Sequence, residues 1–262
     1  MIRSCAMSQD AVEIETGKDP TAAVIWMHGL GADGHDFEPI VPELVRDRAV
    51  SDDRAVSEEI PNGEGIPSGD PSDRAVNEGI PSGEEDRALR FVFPHAPVRP
   101  VTLNGGYPMR AWYDIVGIDR RAPQDEVGIR GSYATVEKLI RRENERGIAT
   151  DRIVLAGFSQ GGAMALYAGT RYPEKLAGIL ALSCYMLLET KFSAERAAVN
   201  HATRIFLAHG TQDPVVSPML GEGTRLLLEK EGYSVEWHTY PMPHSVCPQE
   251  VLDIAAWLRR VL

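Results

Sequence analysis

The stretch Ile153-Val154-Leu155-Ala156-Gly157-Phe158-Ser159-Gln160-Gly161 decides the fold of this chain. Its first four residues are a short apolar run typical of a buried strand, and the residues from Ala163 onward follow a helical pattern. A serine between a strand and a helix must sit on a sharp turn, where small residues two positions away let both backbones pass closely. Gly157 and Gly161 meet that need, so the stretch predicts a strand, a tight turn and a helix that present Ser159 at the end of a sheet.

A serine hydroxyl is a weak nucleophile at neutral pH, so this reading requires a histidine base and an acid that orients it. On a sheet of this kind the three follow in the chain order Ser, Asp, His. Asp213 comes directly after the apolar run at 204–209, at the sheet edge where catalytic groups of α/β proteins gather. His244 lies in the loop after the alternating strand pattern at 235–240. We therefore predict Ser159, Asp213 and His244 as the catalytic residues.

Two alternatives to this assignment stay open in the sequence. His238 also follows Asp213, but a histidine in mid-strand would be fixed on one face of the sheet rather than delivered to its edge. Asp213 precedes Pro214, so it could simply be a turn-forming aspartate. The expected chain order disfavours all histidines before Asp213, His209 among them.

Acyl transfer passes through an oxyanion, which needs N–H donors already in place. The backbone N–H of Gln160, the residue after the serine, is one candidate. A second is Leu30, because the apolar run at 22–27 leads into His28-Gly29-Leu30-Gly31 and two glycines would let the Leu30 N–H turn toward the serine. The alternative for this segment is an ordinary glycine-rich turn.

Apolar strand patterns alternate with helical patterns along most of the chain, which predicts a mostly parallel α/β sheet with helices on both faces. We expect one domain over residues 1–262, with no separate cap domain. The predicted strands are 22–27, 89–93, 152–158, 177–182, 204–209 and 235–240, with 11–15 as an antiparallel first strand. The predicted helices are 133–146, 161–171, 219–231 and 248–261.

Residues 47–86 depart from this alternation because they repeat themselves. Asp-Arg-Ala-Val recurs from Asp47, Asp53 and Asp73, and Ile-Pro-Ser-Gly recurs from Ile66 and Ile80. Units so short, acidic and poor in bulky apolar residues cannot bury enough surface to offset chain entropy. We expect a low-complexity acidic insert that forms a disordered loop, with a docking segment for a partner as the alternative.

The same insert accounts for most of the charge. It holds twelve acidic and three basic side chains, so nine of the eleven net negative charges reside there. This acidity disfavours nucleic acid and anionic membranes as partners, because both need basic patches. No motif indicates an organic cofactor, and the three scattered cysteines form no metal-binding spacing or even disulfide set, which favours a cytoplasmic protein. The first ten residues lack a long apolar core, so we expect no signal peptide or membrane anchor.

In these motifs the chain resembles the phospholipase/carboxylesterase family of α/β-hydrolases, which includes bacterial carboxylesterases and eukaryotic acyl-protein thioesterases. The resemblance covers nearly all of the chain except the amino terminus and the insert. It is carried by the segments His28-Gly29-Leu30-Gly31-Ala32-Asp33-Gly34, Phe93-Pro94-His95-Ala96-Pro97, Met109-Arg110-Ala111-Trp112-Tyr113-Asp114-Ile115, Gly157-Phe158-Ser159-Gln160-Gly161-Gly162-Ala163, Gly210-Thr211-Gln212-Asp213-Pro214-Val215-Val216 and Pro243-His244. By position, the resemblance implies the same triad of Ser159, Asp213 and His244 and the same oxyanion donors, Leu30 and Gln160.

The resemblance further implies that the loop at 104–108 and the segment at 112–114 border an acyl pocket. We expect Trp112, Met186 and Val216 to contact substrate, although Trp112 could instead be a packing anchor and the apolar residues near Met186 could belong to the core. The expected activity is that of a serine carboxylesterase acting on short to medium acyl chains, and the expected partner is a small ester or thioester. An acyl-protein thioesterase or lysophospholipase is the alternative, and a non-catalytic binding module is a remote one. A homodimer is an open alternative to a monomer.

Overall fold

A computed structural model describes residues 10–46, 88–117 and 122–262 in full, and residues 3–8 as backbone. The predicted acidic insert at 47–86 lies outside the described residues. The strands are β1 (Arg3–Ser8), β2 (Ala11–Glu15), β3 (Ala22–Met27), β4 (Leu89–Pro94), β5 (Val98–Val101), β6 (Tyr107–Arg110), β7 (Ile153–Phe158), β8 (Gly178–Leu182), β9 (Arg204–Gly210) and β10 (Val235–Tyr240). The α-helices are α1 (Val41–Leu44), α2 (Glu126–Glu145), α3 (Gln160–Arg171), α4 (Phe192–Glu195), α5 (Pro218–Lys230) and α6 (Pro248–Val261).

Eight of these strands form one sheet in the order β1-β2-β4-β3-β7-β8-β9-β10. The six strands from β4 to β10 in that order run parallel, while β1 and β2 pair antiparallel at one edge. The remaining two strands, β5 and β6, form a separate antiparallel hairpin. The fold is that of an α/β-hydrolase, as the sequence predicts.

Helices cover both faces of the sheet, and the side chains of each strand alternate between two apolar layers. One layer packs Ile25, Leu155 and Leu207 against α2, α3 and α5. The other packs residues one position along the same strands, such as Trp26, against α1 and α6. Helix α3 is buried along almost its whole length, so the helix that follows Ser159 lies inside the protein.

Most predicted elements are confirmed within a residue or two, and β2, β3, β10 and α6 match their predicted bounds. The prediction that residues 11–15 form the first strand is wrong, because β1 pairs with β2 on its outer side. The hairpin β5–β6 was not predicted, since Pro100 and Pro108 lack backbone N–H groups and face each other in its register. Helix α2 begins seven residues before its predicted start, where Asp125 accepts a hydrogen bond from the Gly128 N–H and caps it.

The parallel strands bring several loops to one edge of the sheet, because parallel strands have their carboxyl ends on the same side. The segments that follow β3, β7, β9 and β10 meet there, and they carry Leu30, Ser159, Asp213 and His244. No helix in the described ranges is long and apolar enough to cross a membrane.

Candidate active site

Ser159 sits on a strained turn between β7 and α3. Its φ is 55°, a left-handed value that costs a non-glycine residue about 1–3 kcal/mol. Close backbone packing holds this turn in place, because a methyl group on Gly161 would lie 2.1 Å from the carbonyl oxygen of Met27. A methyl group on Gly157 would lie 2.3 Å from the Gly161 backbone. The two glycines thus provide the close approach that the motif predicts.

Ser159, His244 and Asp213 form one chain of hydrogen bonds. The Nδ1–H of His244 donates to Oδ2 of Asp213 at 2.6 Å. Because Nδ1 carries the proton, Nε2 is the acceptor for the Ser159 hydroxyl, and the distance between Nε2 and Oγ is 2.9 Å. The imidazole is thereby held in the tautomer that can receive a proton from the serine.

The Asp213 carboxylate is held on both of its oxygens. While Oδ2 accepts from His244, Oδ1 accepts from the backbone N–H groups of Val215 and Val216, each at 2.8 Å. Charge-assisted hydrogen bonds of this kind are stronger than neutral ones. The side chain is buried, so the carboxylate has one orientation and it points toward the imidazole.

His238, the rival base, lies elsewhere. Its Nε2 is 3.1 Å from Oε1 of Glu236 on the same strand, and its ring stacks on Phe206 at a centroid distance of 4.7 Å. The mid-strand position fixes the ring on the face of the sheet. It therefore takes no part in the hydrogen-bonded chain around Ser159.

The two predicted oxyanion donors line the same cavity as Ser159. In the described part of the chain, neither the Leu30 N–H nor the Gln160 N–H has an acceptor. The neighbouring Gly31 has a φ of 79° and donates its N–H to the carbonyl oxygen of Arg110 at 2.9 Å, which fixes the Leu30 turn. Both N–H groups are thus available to an oxygen atom bound beside Ser159.

The Gln160 side chain clamps the segment that follows β6. Its Oε1 accepts from the Trp112 N–H and its Nε2 donates to the Tyr113 carbonyl oxygen, both at 2.8 Å. The indole N–H of Trp112 donates in turn to the carbonyl oxygen of His28 at 3.0 Å. Hydrogen bonds therefore join three segments next to Ser159: the start of α3, residues 112–113 after β6, and the loop at 28–31.

His28 braces the Leu30 loop without carrying a charge. Its Nε2 accepts from the Ala96 N–H at 3.0 Å, and its Nδ1 is 2.7 Å from the carbonyl oxygen of Gly29. Burial lowers the pKa of this histidine, which keeps it neutral at physiological pH.

A cavity of about 280 Å³ opens above Ser159 and His244. Burial raises the pKa of two phenols on its wall, Tyr113 and Tyr185, so both are neutral at physiological pH. Because neither phenol carries a charge, this part of the wall is compatible with an apolar substrate chain. The aliphatic and aromatic side chains that line it include Leu30, Leu103, Ile115, Phe158, Val215, Val216 and Leu220.

The structure separates the three residues predicted to contact substrate. Val216 lines the cavity above the serine. Met186 lines a neighbouring cavity of about 400 Å³, and Tyr185 and Leu220 border both. Trp112 is fully buried and is absent from the described walls of both cavities, a position that favours its alternative role as a packing anchor.

Sequence reasoning missed Leu103, Ile115 and Tyr185 as individual wall residues. Leu103 lies in the short 3₁₀ turn Thr102–Asn104 that joins β5 to β6, beside the loop at 104–108 that was expected at the pocket. The hairpin brings it over the serine, and no local pattern in the sequence signals that placement. Among the residues with described side chains, no group of three or more His, Cys, Asp or Glu residues could hold a metal ion.

Comparison with known proteins gives a consistent result. The family model described as phospholipase/carboxylesterase matches residues 82–262. An acyl-protein thioesterase 1 from Neurospora crassa is 40% identical over 246 residues, which cover 91% of this chain and 86% of that protein. Another acyl-protein thioesterase 1, from Mycosarcoma maydis, is 42% identical over 188 residues, which cover 66% of this chain and 78% of that protein.

Solved structures share the fold. Arabidopsis thaliana SOBER1 superposes with a TM-score of 0.72 at 25% identity, covering 92% of this chain and 98% of that one. Zea mays acyl-protein thioesterase 2 superposes with a TM-score of 0.69 at 23% identity, covering 95% and 98% of the two chains.

Proposed function

The chain belongs to the phospholipase/carboxylesterase family of serine hydrolases, and we propose that it is an acyl-protein thioesterase, which cleaves the thioester between a fatty acyl chain and a protein cysteine. The short-chain carboxylesterase that the motifs alone favour is the second candidate. The thioesterase is better supported, because the two fungal relatives described above are both named acyl-protein thioesterase 1.

In the acylation step, the Oγ of Ser159 attacks the thioester carbonyl carbon while Nε2 of His244 takes the hydroxyl proton. The 2.9 Å between Oγ and Nε2 is within the range for that transfer. Asp213 keeps the imidazole in the required tautomer and stabilises the imidazolium that forms. The carbonyl oxygen, now negative, accepts hydrogen bonds from the Leu30 and Gln160 N–H groups.

The tetrahedral intermediate then collapses and expels the cysteine sulfur, leaving the acyl group on Ser159. The protonated His244 gives its proton to the departing sulfur. A thiol has a pKa of about 8.5, so this leaving group needs less protonation than an alkoxide would. In deacylation, the now neutral His244 takes a proton from water while the oxygen of that water attacks the acyl carbon. His244 then returns the proton to Oγ of Ser159, so the fatty acid and the free serine are released. The same residues can therefore cleave thioesters and oxyesters.

The acyl end of the site supports a fatty chain. The cavity above Ser159 is lined mainly by apolar side chains, with Asp36 as its acidic residue, and burial of each methylene group contributes about 0.8 kcal/mol. Tyr185 and Leu220 border both this cavity and the neighbouring one of about 400 Å³. Affinity should therefore increase with acyl length.

A cytoplasmic location fits this proposal, because Cys184 and Cys247 are both free thiols.

The observation that carries this proposal is the hydrogen-bonded chain of Ser159, His244 and Asp213 at the floor of an apolar cavity. The test is hydrolysis of peptide thioesters with acyl groups from acetyl to palmitoyl, run beside p-nitrophenyl esters of the same lengths. We expect kcat/KM to be highest for long-chain thioesters and Ser159→Ala to abolish turnover.

Each other outcome selects a different conclusion. Serine-dependent turnover that peaks with short oxyesters would reassign the protein as a carboxylesterase. No turnover of any substrate by folded protein would favour a binding module on a hydrolase fold. Wild-type turnover by Ser159→Ala would refute the serine mechanism altogether.

A further inference from the structure

A second histidine, His209, lies beside the Asp213 carboxylate. It is the next-to-last residue of β9 and is fully buried. Its Nε2 is 2.9 Å from the carbonyl oxygen of Val216 and 3.4 Å from Oδ2 of Asp213. The mechanism proposed above gives it no part, so its place at the acid needs an explanation.

The hydrogen bond to Val216 determines the tautomer of this imidazole. A carbonyl oxygen only accepts, so Nε2 carries the proton and donates it. Nδ1 has no hydrogen-bond partner among the described residues, as expected for an unprotonated nitrogen that meets no donor. Burial lowers the pKa of His209, and the titratable groups that act on it are Asp213 and His244. His209 therefore stays neutral, and its N–H is directed at the turn of residues 213–216, which we call the acid turn.

Consecutive hydrogen bonds link Asp213, Val216 and His209. Oδ1 of Asp213 accepts the N–H groups of Val215 and Val216, and the carbonyl oxygen of Val216 accepts the Nε2–H of His209. Because His209 is fixed in β9, the turn cannot rotate without breaking this last bond. The orientation of Oδ2 toward His244 depends on that turn.

Helix α5 has a glycine, Gly221, at the point where it passes the imidazole of His209. A methyl group on Gly221 would lie 2.4 Å from Nδ1 of His209, which is well inside contact distance. The ring of Trp237 is also a neighbour, at a centroid distance of 6.5 Å. The glycine at position 221 therefore lets α5 approach the imidazole closely.

We infer that His209 is a positioning residue for the reaction: its Nε2–H fixes the Asp213 turn, so that Oδ2 meets Nδ1 of His244. The inference rests on the proposed function, because it assigns a role within that catalytic site. It names a residue outside the three that react.

The main test compares His209→Met with His209→Gln. Methionine fills the site but removes the donor, whereas the glutamine amide N–H can still reach the Val216 carbonyl oxygen. For His209→Met we expect kcat to fall about ten- to a hundredfold with little change in KM, which is part of the roughly 10²–10⁴ that a positioned general base contributes. His209→Gln should recover most of this loss.

A pH profile separates positioning from folding. If Asp213 turns away, the hydrogen-bonded chain of the site is altered, so the midpoint of the acid limb of kcat should differ between His209→Met and wild type. Loss of folded protein would lower kcat without moving that midpoint. Circular dichroism gives the folded fraction of each variant.

Gly221→Ala provides a second route that leaves the imidazole in place. The added methyl group should displace the ring, so we expect the same lower kcat and shifted midpoint. Gly131→Ala on α2 is the control, because a methyl group there meets nothing within 4 Å and should leave both unchanged.

The outcomes distinguish this inference from the proposed function. If Ser159→Ala is inactive but folded His209→Met and Gly221→Ala keep the wild-type kcat and midpoint, the positioning role is wrong and the serine mechanism stands. If Ser159→Ala keeps its activity, the proposed function fails first. If His209→Met does not fold, the midpoint of Gly221→Ala decides.

Discussion

The proposed active site has two ends, a reacting end around Ser159 and an acyl end along the cavity wall, and they are built in different ways. At the reacting end, Ser159, His244 and Asp213 are joined by directed hydrogen bonds of 2.9 and 2.6 Å, and the serine turn is held by backbone contacts that exclude a methyl group. At the acyl end, the wall consists of apolar side chains, several of them on loops. Two of these, Leu103 and Val215, are 43% and 51% exposed.

This difference follows from what each end must do. Proton transfer needs particular atoms at hydrogen-bond distance, so only a few residue types can serve. An acyl chain needs only apolar surface and room, which many combinations of side chains supply. We therefore expect substitutions at the reacting end to change rates by orders of magnitude, and those at the acyl end to change specificity by smaller factors.

The largest expected effect is that of His244→Ala. Without the imidazole nothing takes the Ser159 proton, and kcat should fall roughly 10⁴- to 10⁶-fold, as for other serine hydrolases that lose this base. The measurement is steady-state hydrolysis of a long-chain thioester at pH 7.5.

His238→Ala is the matched control for that experiment. It removes a histidine that follows Asp213 in the chain but packs on Phe206 in mid-strand, so the rate should stay close to wild type. A large loss of activity in His238→Ala, together with a small loss in His244→Ala, would overturn the assignment of the base. The reacting end would then not be the hydrogen-bonded chain described here.

A smaller effect is expected from Leu103→Ala at the acyl end. The side chain is partly exposed, so loss of its contact should remove about 1 kcal/mol of binding to a long acyl chain, which is roughly a fivefold change in kcat/KM. An acetyl group has only one methyl carbon to place against this wall, so acetyl substrates should be affected less. Palmitoyl and acetyl thioesters measured side by side give the ratio.

Leu226→Ala serves as the comparison for this variant. Leu226 is 52% exposed on α5 and is not among the described wall residues of either cavity, so the ratio of palmitoyl to acetyl activity should not change. Equal losses for both acyl lengths in Leu103→Ala would show that the hairpin supports the reacting end as well.

The same contrast explains what the sequence could predict. Ser159, Asp213 and His244 are identifiable because the chemistry restricts their types and their order, and strand patterns place them at one sheet edge. The acyl wall is harder to identify, because a wall residue and a core residue have the same apolar character. Trp112 illustrates the difficulty: a large aromatic side chain near the site satisfies its N–H groups inside the core.

The fold shows where local patterns fail. Apolar patterns locate most strands of the large sheet: β3 and β7 are continuous apolar runs, whereas β10 alternates. They do not locate β5 and β6, whose facing prolines are unfavourable in strands and whose association depends on contacts made elsewhere. Leu103 reaches the cavity through that hairpin, so one missed element accounts for part of the missing wall.

The smallest expected effect on rate concerns Glu250, near the start of α6 and six residues after His244. Its carboxyl group is fully buried, and neither oxygen has a hydrogen-bond partner among the described residues. Burial raises its pKa from 4.5 to about 8. The group lies outside the hydrogen-bonded chain of the reacting end, so Glu250→Gln should leave kcat at pH 7 unchanged.

The Glu250 carboxyl should instead make the free energy of unfolding depend on pH, in a direction that its raised pKa determines. Below about pH 4.5 the carboxyl is protonated in both the folded and the unfolded chain, and it contributes no pH dependence. Between about 4.5 and about 8 the unfolded chain releases this proton while the folded protein keeps it, so the free energy of unfolding falls as pH rises, by a few kcal/mol in total. Above about 8 the folded group ionises as well and the loss is complete.

Glu250→Gln removes this titration, so its stability relative to wild type should increase from pH 5 to pH 8. Urea unfolding of both proteins at several pH values measures the difference, in which the other titrating groups cancel. Glu222→Gln, at a position 59% exposed on the surface of α5, should show no such trend. A flat difference for Glu250→Gln would mean that the folded protein accommodates the ionised carboxylate.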